Sequence, residues 1–150
     1  MSEISNQAML ALVRKYNRPG PRYTSYPMVP EWRDDYGPDD YKTAVTAAAQ
    51  DADEPISLYL HIPFCRKLCW FCGCNKVISS DAAKAQVYLD RVSAEVEQIA
   101  DLLGTRRKVS QVHWGGGTPS ILSHAHTQRS FQIIADHFDI QSGAEVAMEV

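Results

Sequence analysis

Two hydrophobic periods run along the chain. In the stretch beginning at Ile56, the apolar residues Ile56, Leu58 and Leu60 alternate with Ser57, Tyr59 and His61. A period of two predicts a strand, and Pro63 ends it. From about Asp81, Tyr88, Leu89, Val92, Val96, Ile99 and Leu103 recur at helical spacing, and Gly104 is a suitable stop. A second strand is predicted over Val109–Trp114, leading into Gly115-Gly116-Gly117-Thr118-Pro119. Ser123 is placed to cap a further helix with Phe131, Ile134 and Phe138 on its inner face, and a third strand is predicted over Ala144–Val150. Upstream, a helix is expected from Ser5 or Asn6 to Tyr16. Asn17-Arg18-Pro19-Gly20-Pro21 breaks it, and Arg22-Tyr23-Thr24-Ser25-Tyr26-Pro27 reads as an extended arm. Asp39–Gln50 is expected to be helical, with two acids at its positive end, and Asp51–Pro55 to be a linker.

The order strand, helix, strand, helix, strand predicts an α/β fold with parallel strands and crossover helices. The natural division puts an N-terminal arm and helical segment in residues 1–55 and the sheet in residues 56–150. Both unusual loops, one cysteine-rich and one glycine-rich, follow strands. Sites in such folds lie at the carboxyl ends of the strands, so the loops are expected to meet there with Glu149 beside them. Three strands do not close a barrel, and parallel sheets normally have both faces covered. The expectation is the N-terminal piece of a longer protein or a truncated product.

Composition narrows the class. The chain has 150 residues, 45% hydrophobic and 22% charged, as in an ordinary globular domain. Its net charge is -3, which offers no electrostatic footprint for nucleic acid. No apolar run reaches the roughly 18 residues of a membrane span. Arg14 and Lys15 follow the short apolar patch at Met9–Val13 instead of preceding it, unlike a signal peptide. A cytoplasmic location is the expectation.

All four cysteines, Cys65, Cys69, Cys72 and Cys74, lie within ten residues. A disulfide framework staples distant segments, and these staple nothing. A metal or cluster site is expected instead. Structural zinc usually takes two separated ligand pairs, and here the second pair is missing, although His61 and His113 lie nearby in strands. Three thiolates on a tight loop suit a [4Fe–4S] cluster with one iron left open, and Cys74 as a fourth ligand would close it. If Cys72-Gly73-Cys74 is extended, the two thiols point to opposite faces. The triple glycine is either a strand-to-helix turn or a surface that a ligand approaches closely. Glu149 reads as an ordinary strand residue or as a carboxylate receiving an amine or ribose hydroxyl.

Cys65-Arg66-Lys67-Leu68-Cys69-Trp70-Phe71-Cys72 resembles the Cys-x-x-x-Cys-x-aromatic-Cys motif of radical S-adenosylmethionine (SAM) enzymes. Tyr59–Cys65, the extension Cys72-Gly73-Cys74-Asn75-Lys76, His113–Pro119 and the arm Gly20–Pro27 are similar to the oxygen-independent coproporphyrinogen III oxidase (coproporphyrinogen dehydrogenase) family. Trp70 stands where tyrosine is frequent. The resemblance implies the first part of a (β/α)₆ partial TIM barrel and an oxidoreductase of porphyrin and heme biosynthesis. It implies that Cys65, Cys69 and Cys72, but not Cys74, hold a [4Fe–4S] cluster. Tyr59, Gly116 and Glu149 would contact one SAM, and Phe71, Gly117 and Thr118 a second, giving two per active site. A 5′-deoxyadenosyl radical would take hydrogen from two propionates of coproporphyrinogen III in turn, and loss of carbon dioxide would leave the vinyl groups of protoporphyrinogen IX. An electron donor for the cluster and a monomeric full-length state are further implications. Arg22 is expected on the substrate side, where a guanidinium pairs with a propionate carboxylate. Two rival readings remain: a heme chaperone sharing the cluster without oxidase activity, and a non-enzymatic cluster- or zinc-binding module.

Overall fold

The computed structural model describes residues 6–17, 31, 33–70 and 72–150. They group into two compact units, Met1–Tyr36 and Gly37–Val150. The first unit holds helix α1 (Asn6–Tyr16), within a residue of the predicted bounds. The arm Arg22–Pro27 lies outside the described residues.

The second unit opens with helix α2 (Pro38–Ala48), started by the Asp40 carboxylate accepting from the Gly37 N–H at 2.8 Å. Strand β1 (Ile56–Ile62) follows, and its alternation is realised in space. Leu58, Leu60 and Ile62 face the core, whereas Tyr59 stays largely exposed on the opposite face. After the cysteine loop comes helix α3 (Ala82–Leu103), capped by the Asp81 carboxylate on the Ala83 N–H at 2.9 Å. Gly104, at a φ of 58°, ends it in the left-handed region that glycine tolerates. Strand β4 (Lys108–Gly116), a 3₁₀ turn at Pro119–Ile121, helix α4 (His124–Ala135) and strand β5 (Asp139–Met148) complete the order. Strands β2 (Phe64–Cys65) and β3 (Val77–Ile78) belong to the cysteine loop.

The sheet order is β1-β4-β5, all parallel. Ile62, Val109, Val112 and Trp114 of the sheet pack with Ala85, Ala100 and Leu103 of α3 and with Ile134 and Phe138 from α4 and just beyond it. Leu89, Val92 and Ile133 join α3 to α4. Both helices therefore cover one face. The other carries the row Tyr59, His113, Ala147 and, one pleat further on, His61 beside Gly115.

Three expectations change. Strand β5 begins at Asp139, not Ala144. Asp139 and Ile140 pair with Lys108 and Val109, and then the register slips, so Gln141–Ala144 bulge without losing the strand. A polar bulge carries no alternation to read. Strand β4 runs on through Gly115 and Gly116, because β1 pairs with both, so only Gly117 belongs to the turn proper. Phe131 is 41% exposed: it stacks on Trp114 with ring centroids 6.2 Å apart, and the buried contacts of α4 come from Ser130, Ile133 and Ile134.

Ser130 is a fully buried polar residue and has a structural task. The Trp114 indole N–H donates to its Oγ at 3.1 Å, and that hydroxyl donates to the Thr127 carbonyl at 2.8 Å. Ser130→Ala leaves the indole N–H unpaired in the core. It is expected to cost about 1–3 kcal/mol in urea unfolding. Combined with Trp114→Phe in a double-mutant cycle, it should show a coupling of about 1 kcal/mol, and additive losses would refute the bond's contribution.

Candidate active site

The cysteine loop is closed at its neck. Pro63 turns the chain out of β1, and strand β2 (Phe64–Cys65) pairs in parallel with strand β3 (Val77–Ile78). The Val77 N–H donates to the Pro63 carbonyl at 2.7 Å and the Ser79 N–H to the Cys65 carbonyl at 2.9 Å. Residues 66–76 thus form a loop whose two ends are bound together, with Cys65 at its root. Two-residue strands carry no periodicity, so neither was foreseen.

The glycine-rich loop docks against this neck. The Gly117 N–H donates to the Ile62 carbonyl and the Thr118 N–H to the Phe64 carbonyl, each at 2.8 Å. The Thr118 hydroxyl lies 3.6 Å from the Cys65 Sγ. The three glycines serve three separate needs. A Cβ on Gly115 would fall 2.7 Å from the Tyr59 ring and 3.0 Å from Glu149 Oε1. Gly116 has a φ of 112°, and a Cβ there would strike the His61 ring. A Cβ on Gly117 would meet the Phe64 carbonyl oxygen at 2.7 Å and the Cys65 Sγ at 2.9 Å. The close approach expected at the glycine run is, at Gly117, an approach by the cysteine loop's own backbone.

A polar cluster stands beside the two loops on the helix-free face. Glu149 Oε2 accepts from the Gly116 N–H at 3.1 Å, and Oε1 lies 3.3 Å from His113 Nε2, which donates. The Glu149 N–H in turn donates to the Trp114 carbonyl at 2.9 Å. The Tyr59 ring stacks on His113, with centroids 5.9 Å apart. His61 Nε2 is 2.8 Å from the Asn75 carbonyl, which only accepts, so Nε2 carries the proton. In the neutral ring Nδ1 then accepts from the Tyr59 hydroxyl at 3.3 Å. Partial desolvation at the hydroxyl, with the charges of Glu149 and Cys74 nearby, raises the Tyr59 phenol above its usual value and keeps it a donor. Sequence reasoning treated His61 and His113 only as spare zinc ligands. Their register with Tyr59, Gly115 and Ala147 is what makes them part of this cluster.

Inside the loop, all four thiols are free. The expected divergence of Cys72 and Cys74 does not occur. The segment bends, and the Cys74 N–H reaches back to Cys72 Sγ at 3.3 Å. That N–H, the Cys74 thiol and the Lys76 ammonium hold the Cys72 thiol below its ordinary pKa, which favours the thiolate that binds iron. Lys76 Nζ also donates to the carbonyls of Cys72 and Cys74, at 3.3 and 3.2 Å, tightening the loop. Among the described residues, no three His, Cys, Asp or Glu side chains gather closely enough to hold a single metal ion. Cys65, Cys69 and Cys72 lie on one neck-tied loop, and closely spaced cysteine thiolates of this kind are the donor set that a four-iron cluster takes. Phe71 and Arg22, both expected at the site, lie outside the described residues.

Parallel strands with helices on one face, a cysteine loop after the first strand and a glycine loop after the second define a class. Residues 59–149 match the family model described as the Radical SAM superfamily, and the chain belongs to that superfamily. It is 45% identical over 141 residues to an oxygen-independent coproporphyrinogen III oxidase of Mannheimia haemolytica, with 94% of each chain covered. A relative of the same name from Escherichia coli (strain K12) is 46% identical over 141 residues, covering 94% of this chain and 30% of that one. The solved structure of coproporphyrinogen III oxidase from Escherichia coli, described as a radical SAM enzyme, superposes with a TM-score of 0.76 at 43% identity. That match covers 94% of this chain and 30% of the other. Within the superfamily, then, the chain is a member of the oxygen-independent coproporphyrinogen III oxidase family. It spans about a third of the length of the Escherichia coli relative.

Gly117→Ala drives a Cβ into backbone that cannot move without breaking the neck. It is expected to cost about 1–3 kcal/mol and to lower iron uptake on anaerobic reconstitution. Gly73→Ala, where a Cβ meets nothing within 4 Å, is the control and should change neither. Equal behaviour of the two variants in urea unfolding and iron assays would show that the close approach is unimportant.

Proposed function

We propose that this chain carries the cofactor-binding half of an oxygen-independent coproporphyrinogen III oxidase site. The reaction is oxidative decarboxylation of two propionates of coproporphyrinogen III to vinyl groups, giving protoporphyrinogen IX in heme biosynthesis. The observation that carries this reading is the docking of the cysteine loop's neck onto Gly117 and Thr118, with Glu149 bound to Gly116 beside it. The site cofactors are a [4Fe–4S] cluster and SAM. When bound, they supply the one-electron chemistry that removes a hydrogen atom from an unactivated carbon.

The chain's own residues hold and orient. Cys65, Cys69 and Cys72 are the proposed cluster ligands, and Cys74 is left out. Glu149 presents a carboxylate suited to the ammonium or ribose hydroxyl of SAM, and Tyr59 presents a phenol beside it. Gly116 offers backbone to the same molecule. Phe71, Gly117 and Thr118 are assigned to a second SAM, and Arg22 to a substrate propionate. Residues 56–150 are read as the first part of the core domain, with helix α2 packed onto it within the unit Gly37–Val150. We place the protein in the cytoplasm, where free thiols persist, and read the full-length form as a monomer served by an external electron donor. No helix among the described residues is long and apolar enough to cross a membrane.

The test is single Cys→Ala replacement followed by anaerobic reconstitution and iron counting. Cys65→Ala, Cys69→Ala and Cys72→Ala should lose the cluster, and Cys74→Ala should keep most of its iron. Loss in Cys74→Ala equal to that in Cys69→Ala would reverse the ligand assignment. In a full-length relative, the change corresponding to Arg22→Ala should cut porphyrinogen turnover while leaving reductive SAM cleavage intact. Unchanged turnover there would remove Arg22 from the site.

A further inference from the structure

Residues 55–80 carry Arg66, Lys67 and Lys76 and no Asp or Glu, in a chain whose net charge is -3. Next to this stretch, helix α3 turns Lys84, Val87 and Arg91 to one side, at spacings of three and four. With Pro63, Phe64 and Val77 these residues line a groove. Its apolar parts are open to solvent: Val87 is 60% exposed, Val77 45%, and the adjoining Ile78 47%. Lys84, Arg91, Arg66 and Lys67 are exposed, and none is in an ion pair among the described residues. Two neighbouring acids are engaged, and Glu95 stands one turn beyond Arg91 on α3. Asp90 is paired with Arg129 of α4, and Asp81 caps α3. An apolar patch rimmed by unpaired cations marks a surface for a protein partner with an acidic, partly apolar face. The groove also lies against the neck of the cysteine loop. Phe64 and Val77 pair across the β2–β3 ladder, and Cys65 is the next residue.

We propose that this groove docks a small acidic electron-transfer protein, which reduces the cluster. The inference rests on the cofactor reading above and adds to it the place and chemistry of the donor. The partner loses one electron and the cluster gains it; no bond breaks, and the electron enters beside Cys65. Exposed valines account for a protein partner, since a small anionic reductant would use only the cations.

The test follows cluster reduction in the reconstituted chain by EPR of rapidly frozen samples. Photoreduced flavodoxin serves as the acidic protein donor and dithionite as the small-molecule donor. Lys84→Glu/Arg91→Glu and, separately, Val87→Asp should slow reduction by flavodoxin at least about tenfold. Reduction by dithionite should stay within about twofold in both, and the flavodoxin rate of the unaltered chain should fall as salt rises. Rates with flavodoxin indifferent to these changes would overturn the docking site alone. So would equal slowing with both donors, or a chain dimer that Val87→Asp dissociates. Failure of the unaltered chain to take up any cluster would instead overturn the cofactor reading, and the docking site with it.

Discussion

The backbone of Gly117 lies so close to that of Pro63–Phe64 that no side chain fits between them, and most of the site depends on this approach. Two strand-end loops meet there through amide-to-carbonyl bonds, from Gly117 to Ile62 and from Thr118 to Phe64. Backbone bonds of this kind fix position without relying on side-chain rotamers. Cys65 is consequently placed by the sheet itself and not by the loop it begins. The β2–β3 ladder then returns the other end of the loop to the same place, so the segment bearing the remaining cysteines is anchored at both ends. The entropy cost of ordering such a loop falls when its ends are already joined.

The two faces of the sheet have different chemistry. Toward α3 and α4, aliphatic side chains and Trp114 form the core, and Ser130, the only fully buried polar side chain among the described residues, is satisfied on both sides. On the other face, Tyr59, His61, His113 and Glu149 form a connected set of hydrogen bonds and a stacked pair. A parallel sheet ordinarily has both faces covered. The match to the Escherichia coli relative and to its solved structure covers 30% of those chains. In the function proposed above, the polar face is where a cofactor would add contacts that the chain does not make with itself.

Charge is distributed to match. No acidic residue falls within residues 55–80, and Lys76 in that stretch stands near the Cys72 thiol and the loop's carbonyls. Lys76 is turned inward onto the loop's carbonyls, whereas Lys84 and Arg91 are turned outward on α3. One set of positive charge steadies the loop, and the other is available to a partner.

Much of this was legible along the chain. Alternation in β1, the helical stripe of α3 and the caps at Asp81, Ser123 and Gly104 are local signals, and local physics decides them. The four crowded cysteines and the strand–loop order together also brought the two loops of the candidate site to the carboxyl end of the sheet, where they meet. What the chain order did not reveal depends on contacts between distant residues. The two-residue strands β2 and β3 exist only because residues thirteen apart pair (Phe64 with Val77). Strand β5 extends through a polar bulge because β4 offers it hydrogen bonds on either side of the slip. Gly115, Gly116 and Gly117 look alike in sequence, yet each is required by a different neighbour: Tyr59 with Glu149, His61, and the Phe64 carbonyl with the Cys65 thiol. Likewise, His61 and His113 are plain strand residues until parallel register sets them beside Tyr59 and Glu149. Period and capping are written within a few residues, whereas register and close approach are settled only when the strands come together.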